Sequence, residues 1–308
     1  MGGQLGRAVY IADAFTCRPF AGNPAGVLTR ADGLSGEQMQ AISRELGQSE
    51  TCFVLEGGEA GIDYRLRWFT PTVEVDLCGH ATVAAYTCLA AEGRIRFDEG
   101  PVHLRHSTRR GVLGVWVLGQ DREARNVSMS AGVASLRPAP DDRTEVARAV
   151  GLDPGSLDPD LPLGADDVSQ RIIVPVRRLA DLLALVPDSA GMIRYGQRAP
   201  YRRFTLVSME TLDPRCRTHL RHFAPANGIP EDPVTGTAHA AVAAYLEWLG
   251  LQPPGEMVLY EGEQGHAVQR PGTVTVELLR EGKAVVDVRI GGRGIIVARG
   301  EIETEQPG

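Results

Sequence analysis

The sequence predicts a mixed α+β protein made of two similar domains, each with several antiparallel strands to one buried helix. Three observations carry this reading. A pattern of Phe-x-Pro, an acidic and apolar stretch, a glycine and a small-residue run closing on Val-Ala-Ala-Tyr occurs twice, at Phe69–Tyr86 and Phe223–Tyr245. The helices that these copies open, from about Gly79 to Ala91 and from about Gly236 to Leu249, are rich in alanine and apolar on nearly every face. Such a helix is enclosed rather than laid on a surface. Strand-like stretches outnumber helical ones and do not alternate with them, which disfavours a doubly wound parallel sheet. Two copies this far apart do not make a solenoid. With 308 residues, more than one core usually holds, they point to a duplicated domain. The expected domains are 1–122 and 123–308, with the C-terminal tail free to pack back on the first.

Along the chain, Arg7–Phe15 alternates as a strand, and Cys17–Val27 is crowded with Pro and Gly around Asn23 and reads as a turn. Ser35 followed by Gln38 is a capping box opening an amphipathic helix to Leu46, with Gly47 as its stop. Ser49–Leu55 and Asp63–Phe69 read as a strand meander, and 102–108 and 111–118 add strands after the first repeat helix. Asn126–Ser130 opens the second block as a strand, Asp142–Leu152 is a helix closed by Gly151, and 153–165 is a Pro/Gly-rich loop. Strands follow at Gln170–Val176 and Arg203–Met209. After the second repeat helix, three more strands are expected at 273–278, 284–290 and 294–302.

Composition excludes several functions. A net charge of −7, from 39 acidic and 32 basic residues, offers no basic face for nucleic acid. Cysteines 17, 52, 78, 88 and 216 are odd in number and form no C-x-x-C, so free thiols in a reducing compartment are expected. The N-terminus carries no charged segment ahead of an apolar core, and no apolar run reaches membrane-spanning length. A cytoplasmic protein with no membrane partner is the expectation. No G-x-G-x-x-G follows the first strand and no G-x-x-x-x-G-K-[ST] occurs, so no nucleotide cofactor is expected. No metal is expected either. His103, His106, His219, His222 and His266 lack metal-ligand spacing and read as non-functional.

The chemistry is expected at the two helix starts. A helix N-terminus presents unpaired N–H groups and partial positive charge, and so attracts an anion. The residues there are Asp76, Cys78, Gly79 and His80 in the first copy, and Glu231, Asp232, Thr235, Gly236, Thr237 and His239 in the second. Gly79 and Gly236 let a backbone approach a ligand without a Cβ. Ordinary N-capping by Asp and Thr is the plainer alternative.

Four motifs make the chain resemble the phenazine-biosynthesis PhzF-like isomerases. They are G-N-P-A-G-V at 22–27, Q-S-E-T-C-F-V at 48–54, D-L-C-G-H-A-T at 76–82 and E-D-P-V-T-G-T-A-H at 231–239, with G-E-Q-G-H-A-V-Q-R-P-G-T-V at 262–274 also similar. The resemblance spans nearly the whole chain. It implies the diaminopimelate epimerase-like fold with the active site between two similar domains, a homodimer, and no cofactor. It also implies a small carboxylate-bearing substrate whose double bonds are isomerised by moving a proton, as in phenazine-type biosynthesis. By the same resemblance, Glu50 is the general acid/base and Asp232 and His80 are the other catalytic residues. Gly79, Cys78, Asn23, Thr235, Gly236 and Thr237 then line the substrate. Thr237 stands where serine is usual, which keeps the hydroxyl but adds a methyl.

A partly dry site should favour the neutral form of Glu50, and a helix N-terminus should disfavour the charged form of His80. Two other readings remain. A two-thiol racemase or epimerase of the same fold would need a cysteine at both helix ends, and Cys78 has no counterpart in Phe223–Tyr245. A non-catalytic binding module on the same scaffold would not need an acid/base carboxylate.

Overall fold

The structure, a computed structural model, describes residues 6–97 and 100–304. The reading of the N-terminus as leaderless falls partly on residues 1–5, outside the described residues. The chain divides into two compact units: one runs to Ser130 and resumes at Gly291, and the other spans Ala131–Ile290. The first unit begins with β1 (Gly6–Ala14), β2 (Asn23–Leu28), α1 (Gly36–Leu46), β3 (Thr51–Glu56), β4 (Tyr64–Phe69) and β5 (Glu74–Val75). It continues with α2 (Gly79–Ala91), β6 (Val102–Thr108), β7 (Gly111–Gln120) and β8 (Glu123–Ser130).

The second unit opens with β9 (Leu136–Pro138), α3 (Arg143–Val150), β10 (Gly164–Asp166), β11 (Arg171–Pro175), α4 (Leu179–Ala184) and α5 (Ser189–Gly196). It continues with β12 (Arg203–Ser208), β13 (Cys216–Ala224), β14 (Ile229–Asp232), α6 (Gly236–Trp248), β15 (Met257–Gln264) and β16 (Gly272–Glu281). β17 (Ala284–Gly292) then leads to β18 (Gly294–Glu303), which lies in the first unit and pairs antiparallel along β1 from Gly6↔Glu303 to Ala14↔Gly294. The break expected at 122/123 falls at the start of β8, which pairs antiparallel with β7 and stays with the first unit.

Both units run through the same ladder. In the first, β1–β2 is antiparallel, β2–β3 parallel, β3–β4 antiparallel, β4–β6 parallel and β6–β7 antiparallel. In the second, β10–β11, β11–β12, β12–β13, β13–β15 and β15–β16 repeat that order. Antiparallel pairs dominate, as the strand patterns imply. The two parallel pairs per unit arise where a helix supplies the long crossover that parallel neighbours require. α1 joins β2 to β3 and α2 joins β4 to β6; α4 with α5 joins β11 to β12, and α6 joins β13 to β15.

α2 and α6 are the buried helices. Every residue from His80 to Ala90 is buried in α2, and Gly236 and Ala238 through Leu246 are buried in α6. The threonines of α2 are satisfied locally. Thr82 and Thr87 donate to the carbonyls of Cys78 and Val83 at 2.7 and 2.8 Å. The repeated tyrosines bond beyond their helices, Tyr86 to His106 Nδ1 at 3.1 Å and Tyr245 to the Pro162 carbonyl at 2.6 Å. α1 instead lies on a sheet face, burying Met39 and Ile42 in a cluster with Leu28, Phe53 and Phe69. Its capping box is formed by Ser35 and Gln38, and Gly47 closes it in the left-handed conformation at φ 62°. α3 likewise starts on the Asp142 side chain and ends at Gly151, φ 87°.

Several elements depart from the sequence reading. The expected turn at 17–27 holds β2 in its second half, because pairing with β1 and β3 outweighs the poor strand propensity of Asn-Pro-Ala-Gly. Pro24 precedes the β3 ladder, which starts at Gly26, so its missing N–H is not needed there. The loop expected over 153–165 contains a 3-10 turn at Pro154–Ser156 and the start of β10. α4 and α5 fill a stretch to which the sequence assigned nothing. No helix among the described residues is long and apolar enough to cross a membrane.

The returning strand packs closely on the buried helix: a Cβ at Gly294 would lie 2.3 Å from Thr87 Oγ1, which is held in place by Val83. Gly294→Ala should therefore destabilise the protein by roughly 1–3 kcal/mol through overpacking. Chemical denaturation measures this, and an unchanged midpoint would contradict the close packing.

Candidate active site

In the first unit the site is assembled where β2, β3 and the start of α2 come together. Glu50 immediately precedes β3, and its carbonyl accepts from the Gly26 N–H at 3.0 Å, which fixes the carboxylate-bearing residue to β2. A Cβ at Gly26 would lie 2.7 Å from Thr51 Oγ1, so the strands approach this closely only with glycine there. Cys78 is the N-cap of α2 and Gly79 its first residue, which places His80 in the first turn. His80 Nε2 lies 3.2 Å from Glu50 Oε2 and 3.3 Å from Ser49 Oγ, and Cys78 Sγ lies 3.5 Å from His80 Nδ1. The Glu50 and His80 side chains are only 13% and 9% exposed, so this pair is shielded from solvent screening.

Burial alone would push the Glu50 carboxyl up, but the hydrogen bond and charge of His80, with Ser49, bring it below its ordinary 4.5. Burial disfavours the His80 cation; the charges of Cys78 and Glu50 act to raise it above 6.5, and because the Cys78 thiol is itself pushed up by burial, the contact with Glu50 is what favours the imidazolium. Burial pushes the Cys78 thiol up, so it stays protonated. The favoured state is therefore a carboxylate, an imidazolium and a thiol. Both protonation expectations are reversed. A full opposite charge in contact outweighs burial and the half-charge of a helix N-terminus.

In the second unit Thr235 is the N-cap of α6, the position that Cys78 holds on α2. Neither N-cap side chain accepts a hydrogen bond from its own helix, unlike Ser35 and Asp142 on α1 and α3. The first-turn N–H groups are left for other partners. Thr235 Oγ1 instead donates to Asp232 Oδ2 at 2.5 Å. Gln264 clamps the turn, accepting from Thr235 N at 3.0 Å and donating to the Asp232 carbonyl at 2.8 Å. Thr237 is exposed in the first turn, and beneath it the buried Arg171 donates to its carbonyl and, at 3.2 Å, to its hydroxyl. A guanidinium only donates, so the Thr237 hydroxyl proton remains free to point outward.

Glu50, His80, Cys78 and Gly79 are thus brought together within the first unit, and Asp232, Thr235, Gly236 and Thr237 within the second. Asn23 is fully buried at the start of β2, paired with Ala14. Asp76 and Glu231 are occupied by arginines, Arg109 and Arg110 for the former at 3.4 and 3.9 Å and Arg221 for the latter at 2.7 Å. Sequence reasoning missed Ser49, Gln264 and Arg171. The first two lie inside motifs already singled out, whereas nothing local marks Arg171 on its strand. Glu50, Cys78 and His80 each offer a donor atom within 4.8 Å of the others, a spacing that a metal ion would also accept.

Residues 12–300 match the family described as phenazine biosynthesis-like protein. The uncharacterized isomerase YddE of Escherichia coli (strain K12) is 34% identical over 297 residues, covering 95% of this chain and 97% of its own. The crystal structure of the Bacillus anthracis phenazine biosynthesis protein of the PhzF family superposes with a TM-score of 0.87 at 30% identity, over 96% of this chain and 99% of that one. A hydroxyproline epimerase from Agrobacterium vitis, solved with trans-4-hydroxy-L-proline, shares the fold at TM-score 0.60 and 14% identity, covering 100% of this chain and 95% of that one.

The charge assignment is testable by NMR titration. His80 should remain protonated well above pH 6.5, and Glu50→Gln should lower its titration point by removing the contact charge. A wild-type His80 that titrates below 6.5 would contradict the ion pair.

Proposed function

The chain belongs to the phenazine biosynthesis-like (PhzF) family of isomerases, and on that premise we propose that it moves a proton along the carbon skeleton of a small carboxylate-bearing metabolite, with Glu50 as the proton carrier. The observation that carries this reading is the buried Glu50–His80 pair at the start of α2, 3.2 Å apart. The His80 cation keeps Glu50 ionised, so the carboxylate can accept a proton from an activated carbon. The electron pair left behind moves into the conjugated system, and the protonated Glu50 returns the proton to another carbon. Nothing is gained or lost, so the step needs no oxidant, phosphoryl donor or metal. His80 lies close enough to offset negative charge developing on the substrate, a role in which a fixed donor acts without reorganisation.

The uncapped start of α2 at Gly79 and the start of α6 at Gly236 and Thr237, with the outward Thr237 hydroxyl, are suited to carboxylate oxygens. Asp232 is assigned a supporting catalytic role, its orientation set by Thr235 and Gln264. Cys78 and Asn23 are assigned to substrate lining. A cytoplasmic location and a homodimer belong to the same proposal. The two-thiol alternative is disfavoured by Thr235, which stands at the N-cap equivalent to Cys78.

Solvent deuterium incorporation into candidate unsaturated carboxylates, followed by NMR, tests the assignment. Glu50→Gln should lose about 10²–10⁴-fold in exchange rate, as removal of a general acid/base does. Cys78→Ser should keep most activity, and chelators should leave turnover unchanged. Full activity in Glu50→Gln would shift the role to Asp232, and complete loss in Cys78→Ser would favour thiol chemistry.

A further inference from the structure

Three side chains that proton transfer does not use converge in the second unit. His219 on β13 lies directly across the parallel ladder from Glu263 on β15, and His266 follows in the 3-10 turn His266–Val268. One nitrogen of each imidazole and one carboxylate oxygen lie within 4.8 Å of one another. The two rings face each other with centroids 5.1 Å apart. His219 and Glu263 are buried, and His266 is half-buried, which leaves the cluster reachable from one side.

The carboxylate is held rigidly. Glu263 accepts from the backbone N–H groups of Leu212 at 2.6 Å and Asp213 at 3.1 Å, and its Oε1 lies 2.8 Å from His219 Nδ1. Hydrogen bonding does not complete the cluster, because His219 Nε2 and His266 Nδ1 are buried without a partner. Protein interiors rarely leave such atoms unmatched. A cation seated at His219 Nδ1 and Glu263 would displace the proton that they share, and a third bond from His266 would give that ring a partner. Two donors at 2.0–2.1 Å from one tetrahedral zinc ion are about 3.3 Å apart. The 2.8 Å His219–Glu263 contact is a hydrogen bond that would open by about half an ångström as an ion replaced its proton.

We propose that His219, Glu263 and His266 form a zinc-class divalent metal site, completed by water, that ties β13, β15 and the His266 turn together. Imidazole and carboxylate donors suit a borderline ion such as Zn²⁺ better than Mg²⁺ or Ca²⁺, which prefer all-oxygen shells. The sequence hides the site, since His219 and Glu263 are far apart in the chain. Only Glu263 and His266, three residues apart, sit near one another in it. Its groups are distinct from Glu50, Cys78 and His80, and because Gln264 lies between Glu263 and His266 the ion would also steady the turn that carries Asp232.

The full-length protein, stripped with chelator and desalted, should bind close to one equivalent of Zn²⁺ by calorimetry and elemental analysis, with a rise in melting temperature. His266→Gln alters a half-exposed turn and should weaken binding at least about tenfold while leaving the circular dichroism unchanged. Glu263→Gln should do the same, and Cys78→Ser and Glu50→Gln should leave zinc binding intact. Absence of zinc binding by the wild-type protein would overturn the site. So would an equivalent of zinc that survives both His266→Gln and Glu263→Gln but is lost in Cys78→Ser, which would place the ion at Glu50, Cys78 and His80 instead.

Discussion

The enclosure of a helix with no polar face is the constraint on which the rest of the fold depends. α2 and α6 are built from alanine, valine and other small or apolar residues, so each must be covered on all sides. A single flat sheet covers one side only. Each unit therefore wraps its ladder around the helix, and the first completes the wrap by recalling the C-terminal strand β18 to the edge of β1. Small side chains set the radius of this wrap. A Cβ at Gly164 would come within 2.7 Å of the Tyr245 ring, as one at Gly294 would press on Thr87. A helix so enclosed has a fixed start, and a fixed start can aim chemical groups.

The start of α2 shows what the enclosure provides. His80 and Glu50 are held in contact by α2 and by the β2–β3 ladder rather than by mobile loops. Burial opposes both charges, and the contact between them offsets it. The contact favours Glu50 as a carboxylate with His80 as its counter-ion. The start of α6 is fixed in a comparable way: Gln264 and Thr235 hold the turn, and Arg171 orients Thr237.

Much of this was legible in the sequence because it is local or repeated. The capping box at Ser35 and Gln38, the glycine stops at Gly47 and Gly151, and both buried helices follow from short-range signals. β2 was not legible as a strand, because its Asn-Pro-Ala-Gly composition favours a turn and only its two neighbours make it a strand. α4 is six residues long and lacks a side-chain cap, so it gives little periodicity to detect. The candidate site residues stand in motifs, but the charges favoured on Glu50 and His80 are not visible there. Those depend on a 3.2 Å contact between Glu50 and His80, residues on different elements. Arg171 and the pairing of His219 with Glu263 likewise arise only when distant strands meet.

The central claim is that Glu50 carries the proton as the ionised partner of His80. The pH dependence of kcat/KM for solvent deuterium exchange tests it most directly, because it reports the essential groups of the free enzyme. The account predicts an acidic limb below 4.5, where Glu50 becomes protonated, and an alkaline limb well above 6.5, where His80 loses its charge. In Glu50→Gln the residual rate should lose the acidic limb. An acidic limb that persists unchanged in that variant would contradict the account.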